Sequence, residues 1–251
     1  MKFVCIADMH SQYEKLILPE ADALIIAGDI GLWKEANADR FDDWLAEQPF
    51  THKIIVGGNH DKLLAEKGSM YLEDCLYLED SGIDLGGIKI WGSPYTPTFN
   101  DWYFMASRGE EIRAHWNLIP DDTDILITHG PPKGALDTIN PTSVKYQDES
   151  QSDLELGCEE LRKAVDRINP KYHIFGHIHG SHGTCSIYSL KDGKKENTTF
   201  INCSVVNENY NVVNKPMEFE ITTVMDKYRT PKYGEESYKS PWDKEWDGSY
   251  C

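Results

Sequence analysis

The 251-residue chain has no apolar run approaching the roughly 20 residues that span a bilayer, so no segment reads as a membrane helix. It has no CxxC pair. Its six cysteines (Cys5, Cys75, Cys158, Cys185, Cys203 and Cys251) are scattered, which argues against a disulfide framework and fits reduced thiols. Positive charge is scarce, with 25 Lys and Arg against 42 Asp and Glu, a formal net charge of −17. Such a surface repels nucleic-acid backbones and anionic membranes, so neither membrane association nor non-specific nucleic-acid binding is expected. The opening "MKFVCIADMH" has an apolar stretch too short for a signal peptide and ends in charge, which points to a cytoplasmic protein. A small phosphorylated ligand remains compatible with the acidic surface where bound cations reverse the local field.

At 40% hydrophobic residues, the chain has material for a sizeable core. Short, nearly continuous apolar runs predict strands at residues 2–7, 23–27, 53–56, 124–127 and 172–175, each buried on both faces. Helical patterns lie between them at 35–48, 108–117 and 154–168, the last with Leu154, Leu161, Val165 and Ile168 at helical spacing. The alternation predicts an α/β fold around a central sheet. Residues 75–94 read as shorter antiparallel strands with Gly turns, Lys191-Asp192-Gly193 as a hairpin turn, and 217–222 as a closing strand. No repeat or linker divides the chain, so one domain is expected over 1–225. The polar extension 226–251 carries aromatics that pack either on the body or on a partner.

All five main strands end in metal-capable side chains: Asp8 and His10, then Asp29, Asn59 and His60, His129, and His177 and His179. In open α/β sheets ligands bind at the carboxyl ends of strands. Singly, each has an ordinary reading as a cap or a surface residue. Together, eight N and O donors on one edge are too many for a single ion and suit two, with one carboxylate bridging. Carboxylates with imidazoles suit Mn²⁺, Fe or Zn²⁺ better than Ca²⁺, and the lack of motif cysteines argues against a structural zinc cage.

The ordered blocks Asp-x-His, Gly-Asp, Gly-Asn-His-Asp, His and Gly-His-x-His resemble the signature of the calcineurin-like metallophosphoesterase superfamily. "WGSPYTPTFNDWYF", "IPDDTDILITHGPPKGALD", "PKYHIFGHIHG" and "TFINCSVVNENY" further resemble its metallophosphoesterase-domain group, relatives of class III cyclic nucleotide phosphodiesterases. That resemblance runs over about residues 2–221 and implies a four-layer α/β/β/α sandwich with metals at strand carboxyl ends. It implies that Asp8, His10 and His179 hold one divalent ion, that Asn59, His129 and His177 hold a second, and that Asp29 bridges them. His60 is then catalytic, beside the phosphate rather than on a metal. Asp61 stands where those relatives carry Glu, and Gly180-Ser181-His182-Gly183 where they carry an acidic residue.

The chemistry implied is hydrolysis of phosphodiesters, above all of small cyclic nucleotides, with two ions, Mn²⁺ first and Fe or Zn²⁺ next. Water between two such cations ionises near neutral pH and attacks phosphorus in line. His60 then steadies the phosphate or protonates the leaving oxygen. Asn59 and His60 are expected substrate contacts, and His182 either touches phosphate or faces solvent. Tyr95, Phe99, Trp102 and Tyr103 either stack on a base or pack their loop on the core. The polar 140–152 loop reads as a lid or a mobile segment. A phosphomonoesterase, a nuclease on the same metals, and a non-catalytic nucleotide-binding scaffold are the alternatives.

Overall fold

The computed structural model describes residues 1–139, 155–191 and 194–222. The 140–152 loop, the turn at 192–193 and the 226–251 extension lie outside the described residues. In chain order the elements are β1 (Lys2–Ile6), β2 (Ala23–Ala27), α1 (Glu35–Ala46), β3 (His52–Val56), α2 (Lys62–Lys67) and β4 (Leu76–Tyr77). They continue with β5 (Ser81–Leu85), β6 (Ile88–Ser93), β7 (Thr96–Pro97), β8 (Met105–Ala106), α3 (Glu110–Trp116) and β9 (Ile125–Thr128). The last are α4 (Glu159–Ile168), β10 (Tyr172–Phe175), β11 (Gly183–Lys191), β12 (Lys194–Asn202) and β13 (Met217–Glu220). Among the described residues, no helix is long and apolar enough to cross a membrane.

Among the described residues two large sheets form, a five-stranded one ordered β13-β1-β2-β3-β4 and a six-stranded one ordered β11-β12-β10-β9-β6-β5, beside a two-stranded β7-β8 ribbon. In the first, β1 to β4 are parallel and β13 is antiparallel to β1. In the second, β12, β10, β9 and β6 are parallel, with antiparallel partners at both edges.

The period-2 alternation of strand side chains separates three packing layers. Phe3, Cys5, Ile25, Ile54 and Val56 of the first sheet meet Ile90, Ile125, Ile127, Ile174 and Ile201 of the second in an inter-sheet core. Their neighbours Val4, Ile6, Leu24, Ile26 and Ile55 point the other way, onto Ala38, Phe41 and Leu45 of α1 and Leu63 and Leu64 of α2. On the far side, Leu126, Phe175 and Phe200 pack under Ile112 and Trp116 of α3 and Leu161, Val165 and Ile168 of α4. The result is the expected four-layer α/β/β/α sandwich. Each fully buried Leu, Ile or Phe contributes roughly 1.5–3 kcal/mol, so three such layers dominate the stability of the fold.

Two predicted elements differ. The helix read over 154–168 begins only at Glu159, because 155–158 are extended and bound to another segment. Leu156 donates to the Asp137 carbonyl at 2.9 Å and Cys158 to that of Pro131 at 3.0 Å, so these N–H groups are already taken. Cys158 then caps the helix, its Sγ accepting from the Leu161 N–H at 3.4 Å. Within 75–94, β5 and β6 form the antiparallel hairpin expected, but β4 pairs parallel with β3 in the other sheet. The short helix α2 and the two-stranded β7–β8 ribbon lacked a sequence period long enough to read.

Candidate metal centre

Because β1, β2 and β3 are parallel, as are β9 and β10, their carboxyl ends share one rim of the sandwich. Asp8, Asp29, Asn59, His129 and His177 follow those strands within three residues. The rim is crowded, and glycines make it possible. A Cβ on Gly58 would lie 2.4 Å from Asp29 Oδ1, and one on Gly176 would lie 2.5 Å from Asp8 Oδ2. Neither glycine is at positive φ, so what each provides is room for close approach rather than a left-handed turn.

The turning is instead done by the functional residues. Asp8, His10, Asp29 and His177 have φ of 58°, 43°, 53° and 69°. Asp8 is buried, and its carboxylate accepts the His177 N–H at 2.9 and 3.1 Å, which ties the end of β1 to the end of β10. Asp29 Oδ1 accepts the His60 N–H at 2.8 Å, tying β2 to β3.

Three groups of side chains bring ligand atoms within 4.8 Å of one another: Asp8, His10 and His179; His10, Asp29 and His60; and Asp8, Asp29 and His129. His10 Nε2 faces His179 Nε2 at 3.3 Å and Asp29 Oδ2 at 3.8 Å. The buried His129 Nε2 lies 2.9 Å from Asn59 Oδ1 and 3.2 Å from Asp29 Oδ1. Its Nδ1 is 2.9 Å from the Ala27 carbonyl, an acceptor, so Nδ1 carries the proton and Nε2 presents a lone pair. Three lone-pair atoms then converge, an arrangement that only a cation or a further proton relieves. These donors fit the divalent ions that the strand ends predicted.

The electrostatics agree. Burial lowers His10 to about 4 and His177 to about 3, keeping both neutral as ligands must be. Burial likewise lowers His60, with Asp29 partly offsetting it. Burial opposes charge on Asp29 and on His129 alike. Their mutual attraction overcomes it, holding Asp29 down and pushing His129 up to about 9. A cation among the same atoms would take the place of that proton.

All seven predicted metal residues come to this rim, although His177 meets it through its ring, 4.9 Å from that of His129 between centroids. His60 lies close enough to His10 and Asp29 to share a ligand group, so its separation from the metals is not a matter of distance alone. His182 is different: it ends the turn after His179 and no contact among the described residues joins it to the cluster. Of the four loop aromatics, Tyr95 stacks on His115 at 3.6 Å, away from the rim. Trp102 packs on His60 at 4.3 Å and Phe99 on His177 at 5.3 Å.

Three further residues have roles here that the sequence did not assign. Asp61 is buried and its carboxylate accepts the N–H groups of Ile30, Gly31, Leu32 and Gly58 at 2.8–3.2 Å. It therefore holds the loop after β2 against the loop after β3. Burial, then repulsion from Asp29, raises its carboxyl to about 6. Trp33 lies 5.7 Å from the His60 ring, and Tyr210 lies 4.7 Å from His10 and 5.2 Å from His179. Asp61, directly after His60, and Tyr210, at the end of "TFINCSVVNENY", lie inside blocks that carry the family resemblance, whereas Trp33 lies in none.

Comparison with known proteins gives the same answer. The calcineurin-like phosphoesterase profile matches residues 1–181, which include every one of the converging ligands. Human metallophosphoesterase domain-containing protein 1 is 36% identical over 252 residues, covering 88% of this chain and 71% of that protein. A UPF0046 protein of Caenorhabditis elegans is 35% identical over 239 residues, covering 88% of this chain and 75% of that protein. One solved structure, 16% identical, superimposes with a TM-score of 0.50 over 80% of this chain and 89% of that one, a likeness of fold alone. Profile, relatives and the arrangement of the rim agree: the chain belongs to the calcineurin-like phosphoesterase family of metal-dependent hydrolases.

Proposed function

We propose that the protein is a dinuclear phosphodiesterase of small, chiefly cyclic, nucleotides. The observation that carries this reading is the charge of the rim. Among the described residues, no Lys or Arg forms an ion pair or hydrogen bond with Asp8 or Asp29. Two divalent cations against those two carboxylates leave a positive surplus, which the nucleophile and one monoanionic diester neutralise. A dianionic monoester or a polyphosphate brings more negative charge than that surplus matches, so it is the poorer substrate, although a nucleoside monophosphate still binds as a product of the reaction does.

In this reading Asp8, His10 and His179 would hold one ion and Asn59, His129 and His177 the other, with Asp29 available to both. Bound Mn²⁺, or Fe or Zn²⁺, would supply an acidified water and neutralise charge on the phosphate. Asn59 adds a neutral oxygen without further negative charge. His60, pinned through its N–H to Asp29 and packed against Trp102, is oriented to hydrogen-bond the phosphate or protonate the leaving alkoxide, a task worth ~10²–10⁴ in rate. The free thiols of Cys5, Cys75, Cys158, Cys185 and Cys203 support a cytoplasmic setting. A single catalytic domain over 1–225 belongs to the same proposal.

The test is hydrolysis of bis-p-nitrophenyl phosphate with Mn²⁺, followed by cyclic AMP, 5′-AMP and single-stranded DNA under one metal condition. Turnover of the diester and of cyclic AMP above 5′-AMP is expected. Preference for 5′-AMP would favour a phosphomonoesterase, and no turnover with any divalent metal would sink the enzyme reading.

A further inference from the structure

Ten large hydrophobic side chains are exposed among the described residues, and three of them, Trp33, Phe99 and Tyr210, ring the metal cluster. The mouth of the site therefore presents aromatic rings to an incoming ligand. Trp33 is the most firmly built of the three. Although 37% exposed, its ring meets Trp102 at 5.9 Å and Tyr103 at 6.2 Å, two aromatics from the loop between β7 and β8. Its backbone follows Ile30, Gly31 and Leu32, whose N–H groups are all held by the buried Asp61. The Leu32 carbonyl also accepts the Leu63 N–H at 2.9 Å, locking the segment onto α2. An exposed aromatic that is already ordered loses little entropy when a flat ligand settles on it.

We infer that Trp33, braced by Trp102, is the specificity-determining platform for a planar nucleobase on the His60 side of the cluster. The inference rests on the phosphoester reading above and adds which side chain reads the base. His60 neighbours both tryptophans, at 5.7 and 4.3 Å, so a base resting on Trp33 would lie on the side of the cluster where His60 meets the phosphate. Stacking of a base on an aromatic ring is worth about 1–3 kcal/mol, so removing the platform should cost on the order of 5- to 150-fold in base-dependent affinity.

The test is equilibrium binding by calorimetry, with Mn²⁺ present, of 5′-AMP and of ribose 5-phosphate, which share the phosphate and differ in the base. Wild-type protein should prefer 5′-AMP by roughly 5- to 150-fold. Trp33→Ala should collapse that ratio to near unity, and Trp33→Phe should restore part of it. A merely structural tryptophan would weaken both ligands together and leave the ratio intact, and that result would overturn the inference. So would a wild-type protein with no preference for the base. Since binding is read without turnover, an intact base preference in a protein that hydrolyses no diester would sink the phosphodiesterase reading and leave the platform standing.

Discussion

Asp8, His10, Asp29 and His177 occupy left-handed backbone conformations that cost of order 1–3 kcal/mol each for residues other than glycine. The structure holds them there by specific bonds, the Asp8 carboxylate on the His177 N–H and the Asp29 carboxylate on that of His60. Strain at these candidate ligand positions fits donors set in place before any ion arrives. His60 is the residue whose role the geometry leaves sharpest to test, because it neighbours a ligand group while its backbone serves Asp29. His60→Asn is expected to keep both ions while kcat falls by ~10²–10⁴. Metal analysis of the purified variant alongside its kinetics checks this. Loss of an ion would make His60 a ligand instead.

At the scale of elements, β10 contains an instructive histidine. His173 is buried, with Nε2 at 2.8 Å from Thr128 Oγ1. That hydroxyl already donates to the Gly130 carbonyl at 2.7 Å, so His173 donates through Nε2 and its Nδ1 is left without a partner. Burial lowers its pKa to about 3, against about 6.5 in an unfolded chain. Below the unfolded value only the unfolded state takes up the proton. Stability is therefore full above about pH 6.5 and is lost as pH falls toward 3, by up to about 1.4 kcal/mol per pH unit. His173→Phe should remove this component, so that between roughly pH 7 and 4.5 the variant loses about 2 kcal/mol less than wild type. Urea unfolding at the two pH values measures it, and equal losses would show that His173 is not the group responsible.

For the whole molecule, the candidate ligands come from both sheets: Asp8, Asp29 and Asn59 from one, His129, His177 and His179 from the other. Ions bound among them would staple the two sheets at their shared rim and would have no preformed site in the unfolded chain. At a free concentration 100 times Kd, one ion stabilises by about 2.7 kcal/mol. With ~2–4 °C per kcal/mol for a domain this size, restoring Mn²⁺ to chelated protein should raise Tm by roughly 5–10 °C. Asp29→Ala should abolish most of the rise. A Tm indifferent to chelation and to Mn²⁺ would argue that the rim holds no ion. The net charge of −17 reinforces the expectation, since divalent cations are drawn to an acidic surface.

The amino-acid order alone determined the strands that matter, because an apolar run of four or five residues bounded by glycine or a polar cluster is a local property. It likewise determined which donors stand at the ends of those strands, since Asp8, Asp29, Asn59, His129 and His177 follow them within three residues. What it could not determine depends on register between segments distant in sequence. The start of α4 was set by bridges from 155–158 to 132–138, and the side taken by β4 by its pairing with β3. The clamp of Asp61 on the loop after β2 spans some thirty residues, and the nearness of Trp33 to His60 depends on that clamp. Local pattern encodes local backbone geometry. Only the closing of two sheets onto one core decides which of those ends meet, and it was that closure which turned five separate strand ends into a site.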